Sequence, residues 1–306
     1  MWIKTPGEID SRLLLLGVPQ STMYLVKGER YMLIGGGGQW CVSALEEQFK
    51  QYRIDVERIQ YLFIGHTHYD HCGTVPYLLK RYPHLQILAS VEAQKIFSME
   101  KALQNMRKFS LQVMSDLGLP AEVNGVPLEF DRIPVNRPLA EGDRIDLGDG
   151  ISFRVFLTPG HSRCSAILYE PENKWLFTSD SLGIPVESGN GFVITASESF
   201  IAYLDSIKKL KSLDVRLCAW EHYGSMTEGD AAGIVERIVR HTIDYHHLLV
   251  EIVKQTGDVE KTIAWAASDF LDRTKFDFVP PNVVHHIWRG IVTNALQEKP
   301  EVSDYL

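Results

Sequence analysis

Residues Gly65 to Gly73 read GHTHYDHCG, so His66, His68, Asp70 and His71 fall within six positions, directly after the apolar run Tyr61-Leu62-Phe63-Ile64. Imidazoles and carboxylates at this density are ligands for divalent cations. Side chains two apart on an extended segment project to one side, so His66 and His68 form a pincer at the end of a strand. A turn into a helix then brings Asp70 and His71 toward a second position beside the first. Four ligands from one corner are too few for two ions, so other donors must arrive from elsewhere. Three later stretches offer them, each at the end of an expected strand: TPGHS (158–162) with His161, TSDS (178–181) with Asp180, and AWEHYG (219–224) with His222.

The resulting assignment gives His66, His68 and His161 to one ion and Asp70, His71 and His222 to the other. Asp180 lies between them, the usual place of a carboxylate in a two-ion site. A lone histidine at a strand end is ordinarily structural; the H-x-H-x-D-H string in a chain with 11 histidines is what reverses that reading. Five imidazoles and two carboxylates without a thiolate suit two divalent ions, Zn2+, Fe2+ or Mn2+. His84, His241, His246 and His247 are expected to be surface or helix-packing residues. Two cations sharing a water lower its pKa from about 15.7 to near neutrality and generate a hydroxide nucleophile. Asp70 can orient that hydroxide and accept its proton, which makes it both a ligand and the expected base.

The elements that must position these residues can be read from periodicity. Short apolar runs predict strands at 13–18, 23–26, 31–34, 61–64, 86–89, 144–147, 152–157, 165–169 and 175–178, with 215–219 as the last. Helical segments are predicted at 42–52, around 75–80, at 91–117 and at 200–211. This pattern indicates two sheets with helices outside them, an α/β arrangement. Gly35 to Gly38 read as a tight strand-to-helix turn, since they lack both the Lys-Ser/Thr ending of a phosphate loop and dinucleotide-fold spacing. After residue 226 the pattern becomes helical. TEGD (227–230) has capping-box spacing, Ile234, Val235, Ile238 and Val239 continue at helical intervals, Gly257-Asp258 breaks the run, and Pro280-Pro281 precedes a last helix. The expected division is a catalytic core at 1–226 and a helical cap at 227–306.

Composition narrows the function. The net charge of −8 argues against nucleic acid as a partner. The run Leu13–Val18 is too short to span a bilayer, and the start MWIKTPGEID lacks the order of a secretory signal, so a cytoplasmic chain without a membrane partner is expected. Cys41, Cys72, Cys164 and Cys218 have no CxxC spacing and read as small buried residues. Apolar positions on the last helices can pack on the core or on a second copy, which leaves a homodimer open.

HTHYDH at 66–71, followed in order by PGH, SD and a late histidine, resembles the metallo-β-lactamase fold superfamily over roughly residues 12–225. The resemblance implies an αβ/βα sandwich of two mixed β-sheets flanked by helices, with the metal site along one edge and a C-terminal helical extension. In the zinc β-lactamases with a three-histidine site a cysteine stands at the Asp180 position, so antibiotic hydrolysis is not implied. Flavodiiron oxygen reductases carry a glutamate where His68 is. The run HYDHCGTVPYLLKRYPHLQILAS and the helical tail are similar to the PqsE-type quinolone signal response proteins, which act as 2-aminobenzoylacetyl-CoA thioesterases, and more distantly to glyoxalase II. That similarity implies a small-molecule acyl-thioester substrate and tail helices shaping its pocket, with Phe278, His285, His286 and Trp288 near the entrance. Lys101, Arg107 and Lys108 are candidate contacts for an anionic CoA. A lactonase or phosphodiesterase, a regulatory protein docking a partner through its tail, and a diiron redox centre are the competing readings.

Overall fold

A computed structural model describes residues 1–187, 191–276 and 279–305. β1 (Trp2–Ile3) leaves at once for the second sheet. The first sheet begins as an antiparallel run of β2 (Gly7–Asp10), β3 (Leu13–Val18), β4 (Ser21–Lys27) and β5 (Tyr31–Ile34). Helix α1 (Val42–Gln51) carries the chain across to β6 (Ile59–Phe63), and α2 (Val75–Arg81) carries it to β7 (Gln86–Ser90), both pairing parallel as such crossovers require. Helices α3 (Val91–Phe97) and α4 (Glu100–Asp116) and a small hairpin, β8 (Glu122–Val123) with β9 (Val126–Pro127), precede edge strand β10 (Arg137–Leu139).

The second sheet is built from β11 (Arg144–Gly148), β12 (Ile151–Leu157), β13 (Ala166–Glu170) and β14 (Trp175–Phe177), all antiparallel. After the hairpin β15 (Ile184–Pro185)–β16 (Phe192–Val193) and helix α5 (Phe200–Lys208), β17 (Leu217–Ala219) pairs parallel to β14, and β18 (Ser225–Thr227) and β1 complete seven strands. Helices α6 (Ile234–Thr256), α7 (Val259–Thr274) and α8 (Pro281–Gln297) follow. This is the metallo-β-lactamase fold with a C-terminal helical extension.

Continuous apolar runs are what a strand covered on both faces demands. Along β3, Leu13 and Leu15 enter the layer between the sheets with Tyr24, Phe153, Val155 and Phe177. Leu14 and Leu16 point the other way, into the layer that α1 fills with Val42, Leu45 and Phe49. The outer layer extends without a break into α6 and α8 through Ile238, Leu249 and Trp288. No helix among the described residues is long and apolar enough to cross a membrane, and all four cysteines are buried free thiols.

Several local expectations are corrected. The helix expected over 91–117 is two helices: Ser90 caps α3, the Ser98 hydroxyl folds back onto the Lys95 carbonyl, and Met99 is extended. TEGD does not cap α6. Thr227 closes β18 with its hydroxyl on the Met1 carbonyl, Glu228–Asp230 make a 3-10 turn, and α6 starts only after Gly233. The strand ending at Ala219 is not the last, because β18 follows it. Segments of two to four residues such as β1, β2, β10, β15 and β16 are too short for period-two patterning to register.

Trp288 is buried in the helical layer, with ring centroids 5.8 Å from Tyr245 and 5.9 Å from Phe270. Truncation there should cost about 3–5 kcal/mol, so Trp288→Ala should lower the denaturant midpoint markedly. An unchanged midpoint would show that the tail packs otherwise.

Candidate metal centre

The four segments singled out by residue type all leave strand ends on one edge of the sandwich. β6 of the first sheet delivers His66 and His68; β12, β14 and β17 of the second deliver His161, Asp180 and His222. The sheets are tied together there by the Ala166 amide, which donates to the Gly65 carbonyl at 2.8 Å. His68 precedes a 3-10 turn, Tyr69–His71, which swings Asp70 and His71 back beside the pincer. Ser179 and Tyr223 adopt left-handed backbone conformations (φ 47° and 60°) beside Asp180 and His222. Such positions cost about 1–3 kcal/mol each and persist where the surroundings impose them.

The structure brings all seven sequence-selected side chains together. His66 Nε2, His68 Nδ1 and His161 Nε2 form a triangle with sides of 3.0, 3.1 and 3.2 Å. His71 Nε2 and His222 Nε2 lie 3.1 Å apart. Asp70 Oδ2 stands 3.4 Å from the first of these nitrogens and 3.8 Å from the second. Asp180 joins the two groups: its Oδ2 is 3.4 Å from both His161 Nε2 and His71 Nε2, and its Oδ1 is 3.5 Å from His222 Nε2.

Four of the five rings are locked by their other nitrogen. His66 Nδ1 meets Ser179 Oγ at 3.0 Å, His161 Nδ1 the Thr195 carbonyl at 2.8 Å, His222 Nδ1 the Gln20 carbonyl at 2.6 Å, and His71 Nδ1 the Glu221 carboxylate at 2.8 Å. Carbonyls and carboxylates only accept, so the Nδ1 atoms of His161, His222 and His71 donate. Their Nε2 atoms are then free to turn a lone pair inward, the tautomer that metal ligation requires.

Charge reinforces the grouping. Burial works to raise the Asp70 carboxyl, but the His71 imidazole, with His222 and His68 behind it, outweighs this and holds it down at about 2. Asp180 is likewise held low against its burial by His71 and His222. Burial works to lower His71, and Asp180, Asp70 and Glu221 together raise it. His66 is depressed by burial and then by His71 and His68. His68 has an outer edge in solvent, but its inward side is enclosed, and burial, then His161, push it down to about 4.

The donor set suits divalent cations. Ligands at about 2.0–2.1 Å in a tetrahedral array stand about 3.3 Å from one another, close to the sides of the histidine triangle. One proton can link only two of three converging nitrogens, so hydrogen bonding alone leaves that triangle unsatisfied. Asp180 Oδ1 is buried with no hydrogen-bond partner among the described residues, an orphan acceptor aimed where a cation would satisfy it.

With this geometry in view, comparison with known proteins is direct. The family model of the metallo-beta-lactamase superfamily matches residues 16–222, and the chain belongs to that superfamily of metal-dependent hydrolases. A metallo-beta-lactamase fold-containing protein of Sulfurisphaera tokodaii is 27% identical over 208 residues, covering 67% of this chain and 73% of that protein. A hydroxyacylglutathione hydrolase of Legionella pneumophila is 24% identical over 162 residues, 53% of this chain, and the chain spans 48% of that relative. The solved structure of a metallo-beta-lactamase family protein from Thermus thermophilus shares the fold with a TM-score of 0.61 at 20% identity, covering 92% of this chain and 94% of that one.

Among the described residues of the tail, Phe276, not selected in the sequence, reaches the centre. Phe276 packs its ring 4.8 Å from that of His222 and stacks on Tyr223 at 5.8 Å. Trp288 packs in the helical layer, His286 is exposed, His285 is half-buried, and Phe278 lies outside the described residues. Arg107 donates to the Phe130 carbonyl, while Lys101 and Lys108 are exposed on α4. Sequence reasoning also passed over Glu221, although it stands next to His222 in the quoted AWEHYG. Its signal was an acid in an otherwise apolar strand end, and it is buried at 4% exposure.

Metal ligation requires these imidazoles to be unprotonated. Acid dialysis of metal-loaded protein should therefore strip metal from the cluster progressively as the pH falls, as followed by elemental analysis. Undiminished metal content in acid would contradict ligation by these histidines.

Proposed function

We propose that this chain is a dinuclear metal-dependent hydrolase that cleaves a thioester, of acyl-CoA rather than glutathione type. The observation that carries the reading is Asp180, whose carboxylate stands between the two donor groups with an oxygen that no hydrogen bond from the described residues satisfies. His66, His68 and His161 would hold one ion and Asp70, His71 and His222 the other, with Asp180 shared. Bound there, two ions of Zn2+, Fe2+ or Mn2+ supply an acidified water as nucleophile and Lewis-acid polarisation of the scissile carbonyl.

The protein's own groups define the rest. Asp70, 3.4 Å from His71 Nε2 and 3.8 Å from His222 Nε2, is the carboxylate positioned to orient the nucleophile and take up its proton. The Nδ1 protons of His71, His161 and His222 are committed to Glu221 and two backbone carbonyls. They are not available to protonate a leaving group. A thiol with a pKa of about 8.5 departs as the thiolate without such a donor, whereas an amine or alkoxide needs one. This favours a thioester, and the similarity to a hydroxyacylglutathione hydrolase points the same way.

The acyl side has aromatic neighbours. Trp40 and Tyr69 meet edge to face at 6.2 Å, and Tyr69 and Phe109 lie 5.9 Å apart next to the HTHYDH turn. Together with Phe276 they offer apolar walls for an acyl group of the 2-aminobenzoylacetyl kind. Lys101 and Lys108 are the cations on α4 left for CoA phosphates.

The test is a panel of acyl-CoA, acyl-glutathione, lactone and phosphodiester substrates with metal-loaded protein. Acyl-CoA turnover that falls about 10²- to 10⁴-fold in Asp70→Asn and His71→Ala, with both variants still folded, is the expected result. Turnover confined to lactones or phosphodiesters would replace the thioester assignment, and a folded, metal-loaded but inert protein would favour a regulatory role.

A further inference from the structure

The glycine run at 35–38 is not used by the chemistry above, and Glu221 enters it only as the acceptor of the His71 proton, yet the two meet. We infer that Glu221 is the positioning residue for His71, seated in a recess that Gly35 and Gly65 leave open, and that it sets the affinity of the second metal position. The inference rests on the two-ion reading and adds to it a group that acts on one of its two positions.

Three observations carry it. The Glu221 carboxylate accepts from His71 Nδ1 at 2.8 Å, and both residues are buried, at 4% and 1% exposure. The recess has no room for side chains: a Cβ on Gly35 would come within 3.1 Å of the Glu221 carboxylate, and one on Gly65 within 3.0 Å of its Oε1. Gly35 also has φ +89°, a conformation open to glycine and strained for other residues. Next to it the Gly36 amide donates to the His71 carbonyl at 3.0 Å, and the Thr74 hydroxyl donates to the Gly36 carbonyl at 2.6 Å. The glycine run thus grips the backbone of the ligand turn while the carboxylate it makes room for grips the ring.

The physical consequence follows from tautomer and charge. Accepting from Nδ1–H, Glu221 leaves the His71 Nε2 lone pair facing Asp70, Asp180 and His222, and a carboxylate on the far side makes that nitrogen a stronger donor. Two divalent ions bring four positive charges against Asp70 and Asp180; Glu221 supplies a third buried negative charge, adjacent to the second position only. The partners of His66, His161 and His222 are an uncharged hydroxyl and two carbonyls. Glu221 is therefore the one charged partner among those four rings, and its loss should act on the second ion selectively.

The experiment is an equilibrium Zn2+ titration of the full chain against a chromophoric chelator, with wild type, Glu221→Gln and Glu221→Asp. Gln preserves volume and removes the charge, so a carboxylate that merely fills space would leave both binding constants unchanged. We expect wild type to take up two equivalents. Glu221→Gln should retain the first constant and weaken the second about 10- to 100-fold, and Glu221→Asp, charged but shorter, should fall between them. Should Glu221→Gln fail to fold, the selective loss must appear in Glu221→Asp. Two equivalents in all three proteins with equal second constants would overturn the assignment of Glu221 alone. One equivalent or none in wild type would overturn the two-ion reading and this inference with it.

Discussion

The shape of this edge is set by donors crowded more closely than their own hydrogen bonds can satisfy. Five imidazoles point a nitrogen toward one small volume, with separations down to 3.0 Å, and two carboxylates enter the same space. Protons can quiet part of this crowd, as the raised His71 and lowered Asp180 show. They cannot satisfy three mutually facing nitrogens or the orphaned Asp180 oxygen. Cation binding here would therefore be coupled to the shape of this edge, offsetting the cost of crowding unprotonated donors.

The sandwich exists in a form that can impose such crowding. β12, β14 and β17 run in one direction in the second sheet, so three of its strands end at the same edge, opposite the end of β6. Both faces of the sheets are packed, which holds the long apolar strands from two sides. Left-handed Ser179 and Tyr223 are the strained steps that this rigidity sustains next to Asp180 and His222. The helical tail closes on the same edge through Phe276 against His222 and Tyr223.

How much of this could be read beforehand depended on what kind of signal each residue carried. His66, His68, Asp70 and His71 were legible because they are contiguous and follow a strand, and His161, Asp180 and His222 because ligand-type residues close strands in TPGHS, TSDS and AWEHYG. Both sheets were visible through runs such as Leu13–Val18, while two-residue strands such as β1 lay below the resolution of any periodicity. Glu221 was hidden because its role is defined by a partner 150 positions away, which no local pattern encodes. The tail's helices announced themselves through Gly257 and Pro280-Pro281, but packing decides what meets the centre: among the described residues Phe276, in the link between α7 and α8, packs on His222, while Trp288 lies in the helical layer.

The central claim is that one buried edge holds a pair of ions through nitrogen and oxygen donors alone. X-ray absorption at the metal edge on protein loaded with Zn2+ tests it most directly. The account predicts nitrogen and oxygen scatterers at about 2.0–2.2 Å, no sulfur shell, and a metal–metal vector at about 3.5–4 Å. A spectrum with sulfur at about 2.3 Å, or a single isolated metal with no second heavy scatterer at full loading, would contradict it.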